Sequence, residues 1–206
     1  IAAPLPQAGV GNNMALHFSP HGRVALACFQ ANLNSFVFDY VTRQKVGGIY
    51  LGYGFVKQLP VHTPEIVSNS APWQPEKLDC WISGRVLELT YTAWDMEPFA
   101  QDLGYQGPPF RWDEERRFLL RCELDAAYFH LYGIARDDVG YIMDTFPIVR
   151  RRDIAAHGSY RTKEVILEIY DAMADAMRTG EPYQTRLDPP PADRRAAHSA
   201  VPDAVS

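Results

Sequence analysis

The chain is short of cysteine, long apolar runs and the motifs that mark common catalytic sites, and each shortage removes a class of protein. Its 206 residues include three cysteines, Cys28, Cys80 and Cys122. They are odd in number, widely spaced and set among apolar neighbours, so the reading is reduced core thiols in a cytoplasm, without a disulfide frame or zinc site. No apolar run approaches the roughly 18 residues that a membrane span needs. The N-terminal IAAPLPQAGVG has no basic region, apolar core or initiator Met. It does not read as a signal peptide, and a piece of a longer cytoplasmic protein is expected.

Motif chemistry is missing too. There is no Walker-type loop, GxGxxG, HExxH or CxxC pair, and Gly52 and Gly54 are too isolated to cradle a phosphate. The six histidines, His17, His21, His62, His130, His157 and His198, are scattered. His130 lies in the most apolar helical stretch, where a hydrogen-bonded core histidine is the expected role. Asp188-Pro189-Pro190-Pro191 lacks the aromatic that a base-holding Asp-Pro-Pro loop needs. No catalytic constellation is legible in this chain.

What is present is a foldable composition: 47% hydrophobic and 12% aromatic residues, enough to exclude a mostly disordered chain. The net charge is −5, unevenly spread. Residues 1–75 carry four cations and two acids, residues 76–145 seven and fourteen, residues 146–180 six and five. A polyanion would have to be met by the flanks. Within 150–163, Arg150, Arg151, Arg152, Arg161 and Lys163 stand against the single acid Asp153. This cluster brackets a Gly158-Ser159-Tyr160 turn. Cations at a helix start can meet phosphate, or they can pair with the acidic helices nearby; both readings stay open at this point.

The periodicity predicts an α+β but predominantly helical chain. A helix over 20–42, opened by Ser19-Pro20, carries the stripe Leu26, Phe29, Leu33, Phe36, Val37 and Tyr40. The aromatic, β-branched run 49–61 reads as a strand. Helices follow over 76–93, 97–103, 112–132, 135–144 and 162–178, with 112–132 apolar nearly all round and therefore central. Glu164, Glu168, Asp171 and Asp175 form a stripe that reads as a solvated face. The expected organisation is a helix-plus-strand unit over 1–66, a helical domain over 67–180 and a disordered tail over 181–206.

Two blocks carry a resemblance. Asn32 to Val61, NLNSFVFDYVTRQKVGGIYLGYGFVKQLPV, resembles the end of a target-recognition region in restriction–modification DNA methylases. Glu123 to Met173, with LDA…HLYGI, YIMDTFP and YRTKEVILEIYDAM in order, resembles the C-terminal portion of large adenine-specific methylases, including type IIG restriction enzymes and phage-defence methylases. Together the blocks span about 80 residues.

The resemblance implies a sequence-recognition and scaffold piece of such an enzyme, with double-stranded DNA and the catalytic domain of the same polypeptide as partners. It implies no cofactor in this chain, S-adenosylmethionine being held by the parent's catalytic domain. Lys45, Lys57, Arg150, Arg151, Arg152, Tyr160, Arg161 and Lys163 match the family's pattern and are the candidates for DNA-backbone contact. Their alternative is to brace the module against the catalytic domain or pair with acidic helices. A different class of function, a protein-interaction domain docking a partner subunit of a defence complex through the acidic middle, fits the same charge map.

Overall fold

The computed structural model describes residues 2–5, 20–48 and 51–199. Among the described residues ten α-helices follow one another: α1 (Arg23–Asn34), α2 (Phe36–Lys45), α3 (Tyr53–Val56), α4 (Pro64–Val67), α5 (Leu78–Thr90), α6 (Glu97–Asp102), α7 (Glu114–Leu131), α8 (Arg136–Asp144), α9 (Pro147–His157) and α10 (Arg161–Thr179). The predominantly helical expectation holds. No strand occurs among the described residues, so the α+β expectation is corrected to all-α.

The apolar α7 is the central helix, as its composition predicts. It buries Leu120, Cys122, Leu124, Ala126, Ala127, Tyr128 and Phe129 and packs chiefly on α10, with α5 and α2 against it. α10 turns Ile166, Ile169, Met173 and Ala176 inward, the 3.6-residue period of its apolar positions setting that face. His130 has the expected hydrogen bond but is only half-buried: its Nε2 lies 2.9 Å from the Tyr170 carbonyl, and the two rings stack with centroids 3.7 Å apart.

Two ion pairs, one buried and one partly buried, staple α5 to α7. Arg85 Nε and Nη2 both reach Glu123 Oε2 at 2.7 Å, Arg85 Nη1 donates to the Trp81 carbonyl, and the Trp81 ring lies under the guanidinium. Glu123 Oε1 accepts from the hydroxyls of Tyr183 and Thr185. Toward the other end of α5, Glu88 pairs with Arg116. Residue numbers rise on α5 as their partners fall on α7, so the helices run antiparallel at this contact. Every polar atom of the Arg85–Glu123 carboxylate is satisfied, which is the condition for two buried charges to be tolerated.

Five expectations fail. The helix over 20–42 is broken at Ser35. Its Oγ accepts from Phe38 N, and Asp125 Oδ1 accepts from Phe36 N at 2.7 Å, so side chains cap a fresh helix inside an unbroken apolar period. The start lies at Arg23, after Gly22 at φ 82; Ser19 lies outside the described residues.

The strand over 49–61 is not formed. Residues 49 and 50 lie outside the described residues, and in 51–61 Gly52 O accepts from Phe55 and Val56 N to make one helical turn. No strand among the described residues offers a ladder, and Tyr53 and Phe55 are exposed.

The boundary at 66/67 is absent: one apolar core joins Ala27, Cys28, Ala31 and Val37 to Trp81, Ile82 and Val86. Cys80 is exposed, unlike buried Cys28 and Cys122, and all three thiols are free.

The tail over 181–206 is ordered where described. Tyr183, Leu187, Ala196 and Ala197 are buried. Arg116 donates to the Pro189 and Pro190 carbonyls, Ala192 N donates to Glu88, and Arg111 N and His198 N bond the 109–111 loop to the tail's end. A segment without periodicity is thus held by side chains of the core, not by its own pattern. Residues 200–206 lie outside the described residues.

Glu123→Ala is expected to destabilise the chain by roughly 3–5 kcal/mol, leaving Arg85 buried and unpaired, while Arg85→Met with Glu123→Leu recovers much of that loss; urea unfolding measures both. Asp125 gives a second test. Burial lifts its carboxyl from the ordinary 3.8 to about 7, against the pull of the Phe36 N–H and Arg121. An acid whose folded pKa is raised contributes its stability below the unfolded value and loses it as pH climbs toward and past 7. Asp125→Asn keeps an acceptor for Phe36 and is expected to flatten that decline, gaining at pH 8 at most on the order of 4 kcal/mol.

Candidate nucleic-acid interface

The cationic block folds as a helix between two turns. α8 ends at Asp144, and Phe146 is driven into the core beside Phe36, ring centroids 4.8 Å apart, with the Arg43 guanidinium over its ring. Pro147, with its fixed φ and no N–H, opens α9 at the position that suits it. Gly158 at φ 78 closes it, its N–H returning to the Ile154 carbonyl, a left-handed cap that a side chain would strain.

Tyr160 then plunges inward. It is buried, its hydroxyl donates to the Met143 carbonyl at 2.8 Å, and burial raises its pKa to about 12. It is an anchor for the turn, which removes it from the candidates for DNA contact.

α9 is held from one side only. Val149 packs against the core, and Asp153, the helix's single acid, accepts from Thr162 N at 2.6 Å, supporting the start of α10. No residue of α9 is buried.

The cations of the cluster separate into two groups. Arg161 pairs with Glu115 and lies over the Phe118 ring. Lys163 pairs with Asp144 at 2.7 Å. Both take the internal-pairing alternative. Arg150, Arg151 and Arg152 are exposed, and their side chains have no hydrogen bond or ion pair among the described residues.

Pro147, Arg150, Arg151, Ile154 and Ala155 line one shallow depression on the outward face. Ile148 and Ile154 are 56% and 46% exposed, far more open than isoleucine in a covered helix. Lys45 and Lys57 belong elsewhere: Lys45 Nζ donates to the Gln58 carbonyl at 3.1 Å, and Lys57 sits 4.5 Å over the Tyr53 ring. Both are exposed.

Of eight candidate residues, then, three are brought together on one open face, two brace neighbouring helices, one is an interior anchor, and two hold the 53–58 turn. The sequence reading placed the arginines but not the helix that displays them. Its signal was there in the pair Pro147 and Gly158, a first-turn proline and a left-handed cap eleven residues apart. Ile148, Ile154 and Ala155 were missed as surface residues because apolar side chains in a helical chain read as core.

Among the described residues no group of three or more His, Cys, Asp or Glu side chains could hold a metal ion, and no helix is long and apolar enough to cross a membrane. No family model, no curated protein and no solved structure matches this chain.

Arg161→Gln and Lys163→Gln each remove a surface pair and are expected to cost under about 1 kcal/mol. Tyr160→Phe removes one of two hydrogen bonds to the Met143 carbonyl, which still accepts from Phe146 N, and is expected to cost about 0.5–1.5 kcal/mol. Thermal unfolding of the three variants checks the order.

Proposed function

We propose that the chain is a DNA-contacting recognition and scaffold part of a larger S-adenosylmethionine-dependent N6-adenine DNA methylase of a restriction–modification or phage-defence system. The observation that carries this reading is the trio Arg150, Arg151 and Arg152, exposed and without acidic partners in a chain of net charge −5. The two blocks that resemble such methylases support it, and the trio falls inside the second. In this role the chain supplies no chemistry. It binds the backbone and holds the duplex in register, while methyl transfer to a flipped adenine takes place in the catalytic domain.

A second reading, docking of a partner subunit in a defence complex, draws on the exposure of Ile148 and Ile154 beside the same arginines. Mixed apolar and arginine surface is common at protein interfaces.

Fluorescence anisotropy with mixed-sequence duplex DNA over a salt series separates the two. The chain is expected to bind weakly, and Arg150→Gln/Arg151→Gln/Arg152→Gln is expected to lower the log–log salt slope by about 2 to 3, near 0.9 per lost phosphate contact. Arg161→Gln is expected to leave the slope unchanged. A triple variant with wild-type affinity and slope would sink the DNA reading.

A further inference from the structure

We infer that α9 enters the major groove of DNA as a helix, its outward stripe meeting the groove floor, so that it reads bases in addition to holding phosphates; this rests on the DNA-contact reading above. The argument starts from what the stripe contains. Pro147, Arg150, Arg151, Ile154 and Ala155 recur at i, i+3, i+4, i+7 and i+8, so one side of the helix carries two cations set among three apolar groups. A surface meant only for phosphates needs cations alone. The floor of the major groove offers both partners for a mixed stripe: guanine O6 and N7 accept from arginine, and the thymine methyl packs against apolar side chains.

Size and access agree. An 11-residue helix is about 16 Å long and about 10–12 Å across with its side chains, and the groove is about 12 Å wide. α9 has no buried residue, its packing is through α10, and short turns at Phe146 and Gly158–Tyr160 fix both its ends.

Charge selects the occupant. The helix's one acid is turned inward to Thr162 N, and the nearby acid Asp144 is already taken by Lys163, so the outward stripe is free of carboxylates on a chain that is acidic elsewhere. Arg152, flanking the stripe by helical periodicity, is placed for the groove wall.

The test replaces thymine by deoxyuridine throughout a mixed-sequence duplex, which removes the methyl groups and keeps the backbone. Wild type, Ile154→Ser and the triple arginine-to-glutamine variant are titrated with both duplexes, after thermal melts confirm that all three fold. Wild type is expected to bind the deoxyuridine duplex about fourfold more weakly, the worth of one buried methyl group, and Ile154→Ser to bind the two duplexes alike. If wild type does not distinguish them while the triple variant loses affinity, groove entry is overturned and backbone contact stands. If the triple variant binds as wild type does, DNA contact itself fails and α9 faces a protein.

Discussion

Everything in this molecule hangs on the buried exchange between Arg85 of α5 and Glu123 of α7. Two charges taken out of water are tolerated only when every remaining donor and acceptor finds a partner, and here they do: Trp81 supplies a carbonyl and a ring face, Tyr183 and Thr185 supply hydroxyls. The second pair, Glu88 with Arg116, reverses the polarity along both helices. A one-turn slip of α5 against α7 would set unlike partners apart, so the two pairs specify register more than they add stability. The C-terminal strap is recruited by three of these four residues, Glu123, Arg116 and Glu88, through Tyr183, Thr185, Pro189, Pro190 and Ala192. With α7 fixed, α10 packs along it, and α9 is carried outward on the start of α10.

The same chemistry, at different depth, divides the chain's cations into structural and available ones. Arg85 is buried, Arg116 is largely covered, and both are committed to the register. Arg161 and Lys163 sit at the rim, tied to Glu115 and Asp144, and align α10 with α7 and α8. Arg150, Arg151 and Arg152 are left over on a helix that buries nothing. A cation cluster read as one feature in the sequence is therefore two features in space, separated by the inward turn at Tyr160. Functional weight shifts to the arginines ahead of that turn.

Much of the helical architecture was legible because it rests on period alone: α5, α6, α7, α8 and α10 fall within a few residues of where their apolar spacing put them, and His130 is hydrogen-bonded as expected, though half-buried. What was not legible depended on partners distant in sequence. The break at Ser35 needs Asp125, 90 residues on, to cap α2. The run 51–61 has strand-like residues but no second strand to pair with among the described residues, and a lone strand has no ladder. The tail beyond 180 has no pattern of its own because its order is lent by Glu123, Arg116 and Glu88. At the candidate site the charges could be seen but their sorting could not, since which arginine is paired is a question of geometry across helices.

The proposed DNA contact falls on α9, the cationic helix that burial leaves open. Hydrogen–deuterium exchange with and without saturating mixed-sequence duplex tests it most directly. The account predicts slowed exchange concentrated in residues 147–157, with α5 and the strap unchanged. Protection that appears instead around residues 53–57, or on the acidic face of α10, with α9 exchanging as in the free protein, would contradict it.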